Sequence, residues 1–143
     1  MTVSQKLYIN TAIVSQETAQ ALIFAATQAA RTIGIDISVA VVDSGGALKC
    51  FARSDNAPFL TVEAATDKAW TAASYGYPTH VWNQYLADPK LAPLTKISRF
   101  LALSGGLPLV VDGKIIGAIG ISGGTYTQDQ EIAEAAIQQL GFI

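Results

Sequence analysis

The stretch "GISGGTYTQDQEIAEAA", Gly120 to Ala136, passes from an apolar run through two glycines into a helical pattern. Gly123 and Gly124 could leave backbone N–H groups free for an anion at the positive end of the following helix. Asp129 and Glu131 already place negative charge in that first turn and would repel a phosphate. No Lys follows the glycines, so the stretch is not a P-loop. It reads as a structural strand-to-helix turn, with a carboxylate-bearing ligand held partly by the turn as the alternative.

A second group is "ARSDNAP". Arg53, Asp55 and Asn56 cluster at a strand end just before a helix, and Lys68 follows one helical stretch later. Arg can grip a carboxylate with two parallel hydrogen bonds, and Asp can orient it. Acid–base work by Asp55 or Asp129 with Lys68 is conceivable. The competing reading is a surface salt bridge plus a helix cap. The third group is the aromatic run "WTAASYGYPTHVWNQY", which contains His80, the single histidine of the chain. Its rings could wall a planar ligand, and a neutral imidazole can ligate haem iron or another transition metal. The alternative is that the rings pack a core or a subunit interface with His80 at the surface. Ser44, Ser104 and Ser122 lie beside glycines, but none sits in a nucleophile elbow.

These residues must be positioned by a chain of 143 residues, enough for one domain with a single core. Ser15 is placed as an N-cap, and Ala19, Leu22, Ile23, Ala26, Ala30 and Ile33 form one helical stripe ending at Gly34. Residues 37–42 and 48–53 alternate around a glycine turn and read as a hairpin, with Cys50 packed mid-strand. Pro58 suits the first turn of a second helix whose small-residue stripe is Val62, Ala65, Ala69 and Ala72–Ala73. Gly76 and Pro78 end it, and Thr79 is placed as the cap of a short helix through Leu86. Asp112-Gly113 marks a second hairpin. In its second arm Ile115, Gly117, Ile119 and Ile121 should share one face. Ile116, Ala118, Gly120 and Ser122 should share a smooth one, fit for a close helix or a flat ligand. "ISRFLALSGG" is a candidate further strand, with helix as the alternative. The last helix is placed near Thr127 with a Thr127–Gln130 capping box. The order predicts an α+β layout, an antiparallel sheet with helices packed over it.

Half of the residues are hydrophobic and 14% are charged, against about 25% charged in ordinary soluble domains. Part of the surface is therefore expected to be shared with other copies, a lightly charged compact monomer being the alternative. No apolar run approaches the ~18 residues of a membrane span. Scattered charge with a net of −2 argues against nucleic acid and anionic membranes as partners. One cysteine excludes an internal disulfide. The N-terminus lacks the basic start and apolar stretch of a secretion signal, which leads to the expectation of a cytoplasmic protein.

Three segments, "VAVVDSGGALKCFARSDNAP", "DKAWTAASYGYPT" and "GGLPLVVDGKIIGAIGISGGTYTQDQEIAEAA", together resemble the GlcG/HbpS-like family, which includes the C-terminal domain of PduO-type proteins. The resemblance covers nearly the whole chain. It implies a profilin-like three-layer α/β/α sandwich around an antiparallel sheet of about five strands. It also implies homo-oligomers built from dimers, often octamers. Some family members bind haem, and others are encoded with glycolate or vitamin-B12-dependent diol and glycerol pathways. The positions matching the family pattern are Arg53, Asp55-Asn56-Ala57, Lys68-Ala69, Gly123-Gly124 and Gln128-Asp129. They would line a pocket between subunits or beside the sheet. Haem-binding members resembling PduO use a first-helix His. "SQETAQALIFAATQAARTIG" has no His, Cys, Met or Tyr, so His80 or a tyrosine would have to replace it.

The leading expectation is an oligomeric small-molecule or cofactor-binding protein, with haem or a corrinoid-related compound as candidate ligand. The alternatives are an enzyme for a small hydroxy- or oxo-acid, using Arg53 with Asp55 or Lys68, and a structural or regulatory partner of another protein.

Overall fold

A computed structural model describes residues 4–142. The elements are α1 (Gln16–Thr32), β1 (Ser38–Asp43), β2 (Leu48–Arg53), α2 (Leu60–Tyr75), α3 (Trp82–Leu86), β3 (Gly106–Val111), β4 (Lys114–Ser122) and α4 (Tyr126–Gln139), with 3-10 turns at Thr79–Val81 and Ala92–Lys96. Two hairpins, β1–β2 and β3–β4, join through antiparallel pairing of β1 with β4, giving the order β2-β1-β4-β3. The described residues thus form four strands where about five were expected. "ISRFLALSGG" is the difference. It runs as irregular chain until Gly106, because its carbonyls at Arg99 and Leu103 are taken by the hydroxyls of Thr71 and Thr79.

The sheet is buried on both faces by different kinds of side chain. Val39, Val41, Leu107, Leu109, Ile119 and Ile121 pack with α1 and α4 in a core of branched aliphatics. On the other face Ala40, Val42 and Ala118 meet Ala65, Ala69, Ala72 and Ala73 of α2. That helix lies so close that a Cβ on Gly120 would overlap the Ala65 carbonyl oxygen. The smooth face of β4 is therefore taken by a helix, not left for a ligand, and the chain forms the expected three α/β/α layers.

The alternation of β4 breaks at Ile116, the extra residue where pairing with β3 slips by one between Leu109 and Val110. Such a bulge reverses the side-chain alternation beyond it. Ile116 then packs against the aliphatic core, while Ile115 reaches Gly76 at the end of α2. Their faces are the reverse of those expected from strict alternation.

Helix ends follow from local chemistry. Ser15 caps α1 by accepting from Thr18 N at 3.1 Å. α2 starts later than expected: Phe59 is its N-cap without a side-chain bond, and Pro58 lies just outside. Gly76, at φ 75, ends α2. Thr79 does not cap α3. Its hydroxyl donates to the Leu103 carbonyl and accepts from Gly106 N, tying the loop to the sheet. The capping box of α4 is Thr125–Gln128, two residues before the expected Thr127–Gln130 pair. Gln130 instead accepts from Gly105 N through its side chain.

Candidate functional site

Eight of the ten residues matching the family pattern, all but Ala57 and Ala69, fall into two groups at the same end of the sheet, where Ser38 of β1 pairs with Arg53 on one side and Ser122 on the other. The first group is internal. Lys68 lies on the alanine stripe of α2 and is fully buried, and Asp129, in the first turn of α4, is 3% exposed. Lys68 Nζ donates to Asp129 Oδ2 at 3.0 Å and to the Ile121 carbonyl at 2.8 Å. The other carboxylate oxygen, Asp129 Oδ1, accepts from Gly124 N at 2.9 Å.

This arrangement resolves the glycine turn. The anion at the mouth of the helix is Asp129 itself, folded back onto Gly123 and Gly124. Gln128 is used as well, closing the capping box by accepting from Thr125 N at 2.9 Å. Burial pushes the Lys68 ammonium below its ordinary range, and Asp129 opposes that shift. Burial likewise raises Asp129, opposed by Lys68 and by the N–H groups of Gly124 and Gly123. The pair ties α2, β4 and α4 together.

Gly105 completes the cluster and was not among the expected site residues. It has φ 121, and a Cβ there would come within 3.1 Å of Lys68 Nζ and 2.7 Å of the Ile121 oxygen. Only glycine accepts both that backbone and that proximity. The sequence did hold a signal: Lys68 sits three residues from Ala65 and four from Ala72, and Asp129 three from Ile132. Both charges lie on apolar stripes, where a lone charge is costly and a pair is not.

The second group is open to solvent. Arg53, Asp55 and Asn56 are exposed and line a cleft of about 420 Å³ with Arg31 and Asp36. Arg53 is not paired with Asp55. Its Nη1 reaches the Ala57 carbonyl at 3.4 Å. The cleft gathers two guanidinium groups from α1 and β2 against two carboxylates, a setting for a small polar ligand. Lys68 does not line it, so sequence proximity to Arg53 does not become shared surface.

His80 is exposed at the edge of a groove of about 370 Å³ between β3 and α4. Leu107, Pro108, Val110, Ile137 and Phe142 give the groove an apolar lining, and Glu134 is its acidic residue. The described residues contain no group of three or more His, Cys, Asp or Glu side chains placed to hold a metal ion. No helix among them is long and apolar enough to cross a membrane.

Comparison with known proteins gives consistent matches. The family model described as "Haem degrading protein HbpS-like" matches residues 14–138. An uncharacterized 15.0 kDa protein of the dhaT-dhaS intergenic region of Citrobacter freundii is 33% identical over 140 residues, 96% of each chain. Protein GlcG of Escherichia coli (strain K12) is 37% identical over 110 residues, covering 77% of this chain and 81% of GlcG. Among solved structures, a double mutant of Streptomyces reticuli HbpS superposes with a TM-score of 0.89 at 30% identity, over 99% of this chain and 96% of that one. A PduOC:heme complex does so at 0.83 and 29% identity, over 90% and 96%. With nearly the whole chain matched in sequence and in backbone, the protein belongs to the HbpS-like family.

Proposed function

We propose that this protein is an oligomeric binder of a small cofactor-like molecule, with haem as the leading ligand and His80 as the residue that would hold its iron. One observation of the structure supports this most: the sole imidazole of the chain stands free at the edge of an apolar groove. An imidazole beside an apolar surface is a donor set that suits one face of a haem. α1 offers no substitute, since its sequence lacks His, Cys, Met and Tyr. Membership of a family described by haem degradation, and likeness to a protein solved with heme, support the same ligand. Leu107, Pro108, Val110 and Ile137 would exclude water from the ring, and His80 would hold it. When bound, haem would supply the redox chemistry of its iron. An accessory role in glycolate or B12-dependent diol and glycerol metabolism is carried with this reading.

Titrating hemin into the protein tests it. The expected result is a saturable Soret band at about one equivalent per chain, lost or shifted in His80→Ala. Identical spectra in wild type and His80→Ala would remove His80 from the site, and the absence of any band would remove haem.

The Arg53 cleft supports a second reading, a carboxylate-bearing small molecule held by Arg53 and Arg31. In an enzyme of this kind Asp55 would exchange the proton, because Lys68 is enclosed with Asp129. Turnover of a hydroxy- or oxo-acid, abolished in Arg53→Ala with the oligomer intact, would distinguish this reading.

A further inference from the structure

Residues 4–13 form an arm without helix or strand, and every one of them is exposed. The arm reads "SQKLYINTAI", with large apolar side chains in a row at Leu7, Tyr8 and Ile9 and with Lys6 as its one charge. It is fastened at its root. Ser44 Oγ donates to the Ala12 carbonyl at 3.0 Å, and Val14 N donates to the Ile116 carbonyl at 2.8 Å. The total surface reflects the projecting arm. A monomer of 15.0 kDa exposes about 7,000 Å², whereas this chain exposes 8472 Å². The excess, roughly 1,400 Å², is larger than the ~800 Å² that each partner commits to a standard protein interface.

A surface of matching chemistry lies at the same end of the sheet. Where the end of α2, α3 and the chain before β3 converge, a cavity of about 450 Å³ opens, and its lining holds no charged residue. Tyr75, Trp82, Tyr85, Leu94, Ile97 and Phe100 form most of its wall. Trp82 fixes the rings, with centroids 5.3 Å from Tyr75, 5.6 Å from Tyr85 and 5.2 Å from Phe100. Tyr75, Tyr85 and Ile97 are exposed. A rigid, uncharged and uncovered concavity is suited to apolar side chains that are themselves in water. Two contacts place it beside the root of the arm. Gly46 lies against Trp70 of the cavity wall, where an added Cβ would stand 2.9 Å from the ring, and Ser44 of the same turn holds Ala12. Ile115 reaches Gly76 at the end of α2, and the next residue, Ile116, holds Val14.

We propose that the arm of one copy seats Leu7 and Ile9 in the aromatic cavity of a second copy and that the second copy's arm is received in return. The arm does not fill the cavity of its own chain, since the side chains of both stand in solvent. One chain carries both halves of the contact, so a two-fold axis satisfies both at once. The segment 4–13 reaches at most about 35 Å, enough to cross to a neighbour packed on this end of the sheet. In an extended chain Leu7 and Ile9 point to one side, and the long stem of Lys6 lets its ammonium stay in water at the rim. This arm exchange rests on the oligomeric reading above and gives the oligomer its contact.

Cross-linking tests the exchange. In a Cys50→Ala background, which removes the one native cysteine, chains carrying Leu7→Cys are mixed with chains carrying Ile97→Cys and treated with a short bismaleimide. Both positions are exposed, so the fold tolerates the changes. The mixture should give a covalent dimer far in excess of either chain alone, and a chain carrying both substitutions should cross-link between copies rather than within one. Sedimentation reads the strength of the contact. Leu7→Ser/Ile9→Ser and Ile97→Lys should each raise the dissociation constant of the oligomer at least tenfold. Combining them should add little, because both remove the same contact. Cross-links confined to one chain, no cross-link in the mixture, unchanged dissociation constants or fully additive losses would overturn the exchange and leave the oligomer standing. A wild-type chain that sediments at 15.0 kDa at every concentration would remove both.

Discussion

Lys68 and Asp129 have both left water, and each is tolerable only because the other is there. Removing one partner of such a pair strands a buried charge and costs about 3–5 kcal/mol. Lys68→Met should therefore lower stability by that order at neutral pH, read as a shift in the urea midpoint. The pH dependence has a definite sign. Burial raises Asp129 in the folded state, and losing Lys68 removes the largest opposing influence. A group whose folded pKa is raised contributes stability that is complete below its unfolded value, near 3.8, and lost as pH rises through the folded value. The deficit of Lys68→Met relative to wild type should shrink as pH falls from 7 toward 4. A deficit that is constant or grows on acidification would show that Asp129 is not stranded. The same pair explains why the glycine turn is not a free anion site, since the Gly124 N–H is already committed to Asp129.

Among the elements, β4 and α2 make the closest approach, and alanine and glycine make it feasible. Ala65 and Ala69 of α2 lie over Gly120, whose missing side chain leaves room for the helix backbone. Adding a methyl group requires α2 to move or the sheet to bend, a cost of about 1–3 kcal/mol, more where the backbone itself is the obstacle. Gly120→Ala should destabilise by at least that much and displace Lys68, which donates to the neighbouring Ile121 carbonyl. Hydrogen exchange should show weakened protection in α2 and β4 together. Full stability in Gly120→Ala would mean that the layers are not in contact there. The bulge beside Leu109 belongs to the same scale. It lets Ile116 enter the aliphatic core and Ile115 reach the end of α2, so one extra residue serves two layers.

The whole molecule leaves large apolar side chains in solvent. Leu7 is 88% exposed, Tyr8 78% and Ile9 79%, on a segment fastened to the sheet where Val14 N donates to the Ile116 carbonyl. Phe59 and Leu60, at the start of α2, are exposed too. Covering such residues is favourable by about 25 cal/mol per Å² of apolar surface removed from water. Sedimentation at micromolar concentration should give a multiple of the 15.0 kDa chain mass. The double substitution Leu7→Ser/Ile9→Ser should shift the distribution toward smaller species. A 15.0 kDa particle across the concentration range would leave those side chains exposed and remove the oligomer.

Periodicity and turn chemistry were enough to place α1, both hairpins and the end of α2, because those signals are local: a Ser cap, an alternating run, a glycine at positive φ. Arg53, Asp55 and Asn56 do cluster at a strand end before α2 and share one cleft, but the salt bridge and helix cap weighed for them do not form: Arg53 reaches the Ala57 carbonyl, and Phe59 is the N-cap. What sequence could not supply was distance through space. In sequence Lys68 stands fifteen residues from Arg53 and has Asp55 and Asp129 as candidate partners; only the fold shows that it meets Asp129, sixty-one residues away. Nor could strict alternation foresee the bulge in β4, which exists only against its neighbour β3, or the irregular run before β3, held by hydroxyls from α2 and the Thr79 turn. Local propensity is written in each segment; which buried charge meets which, and which aromatic rings close on one cavity, is settled only when separate segments compete for the same protected space.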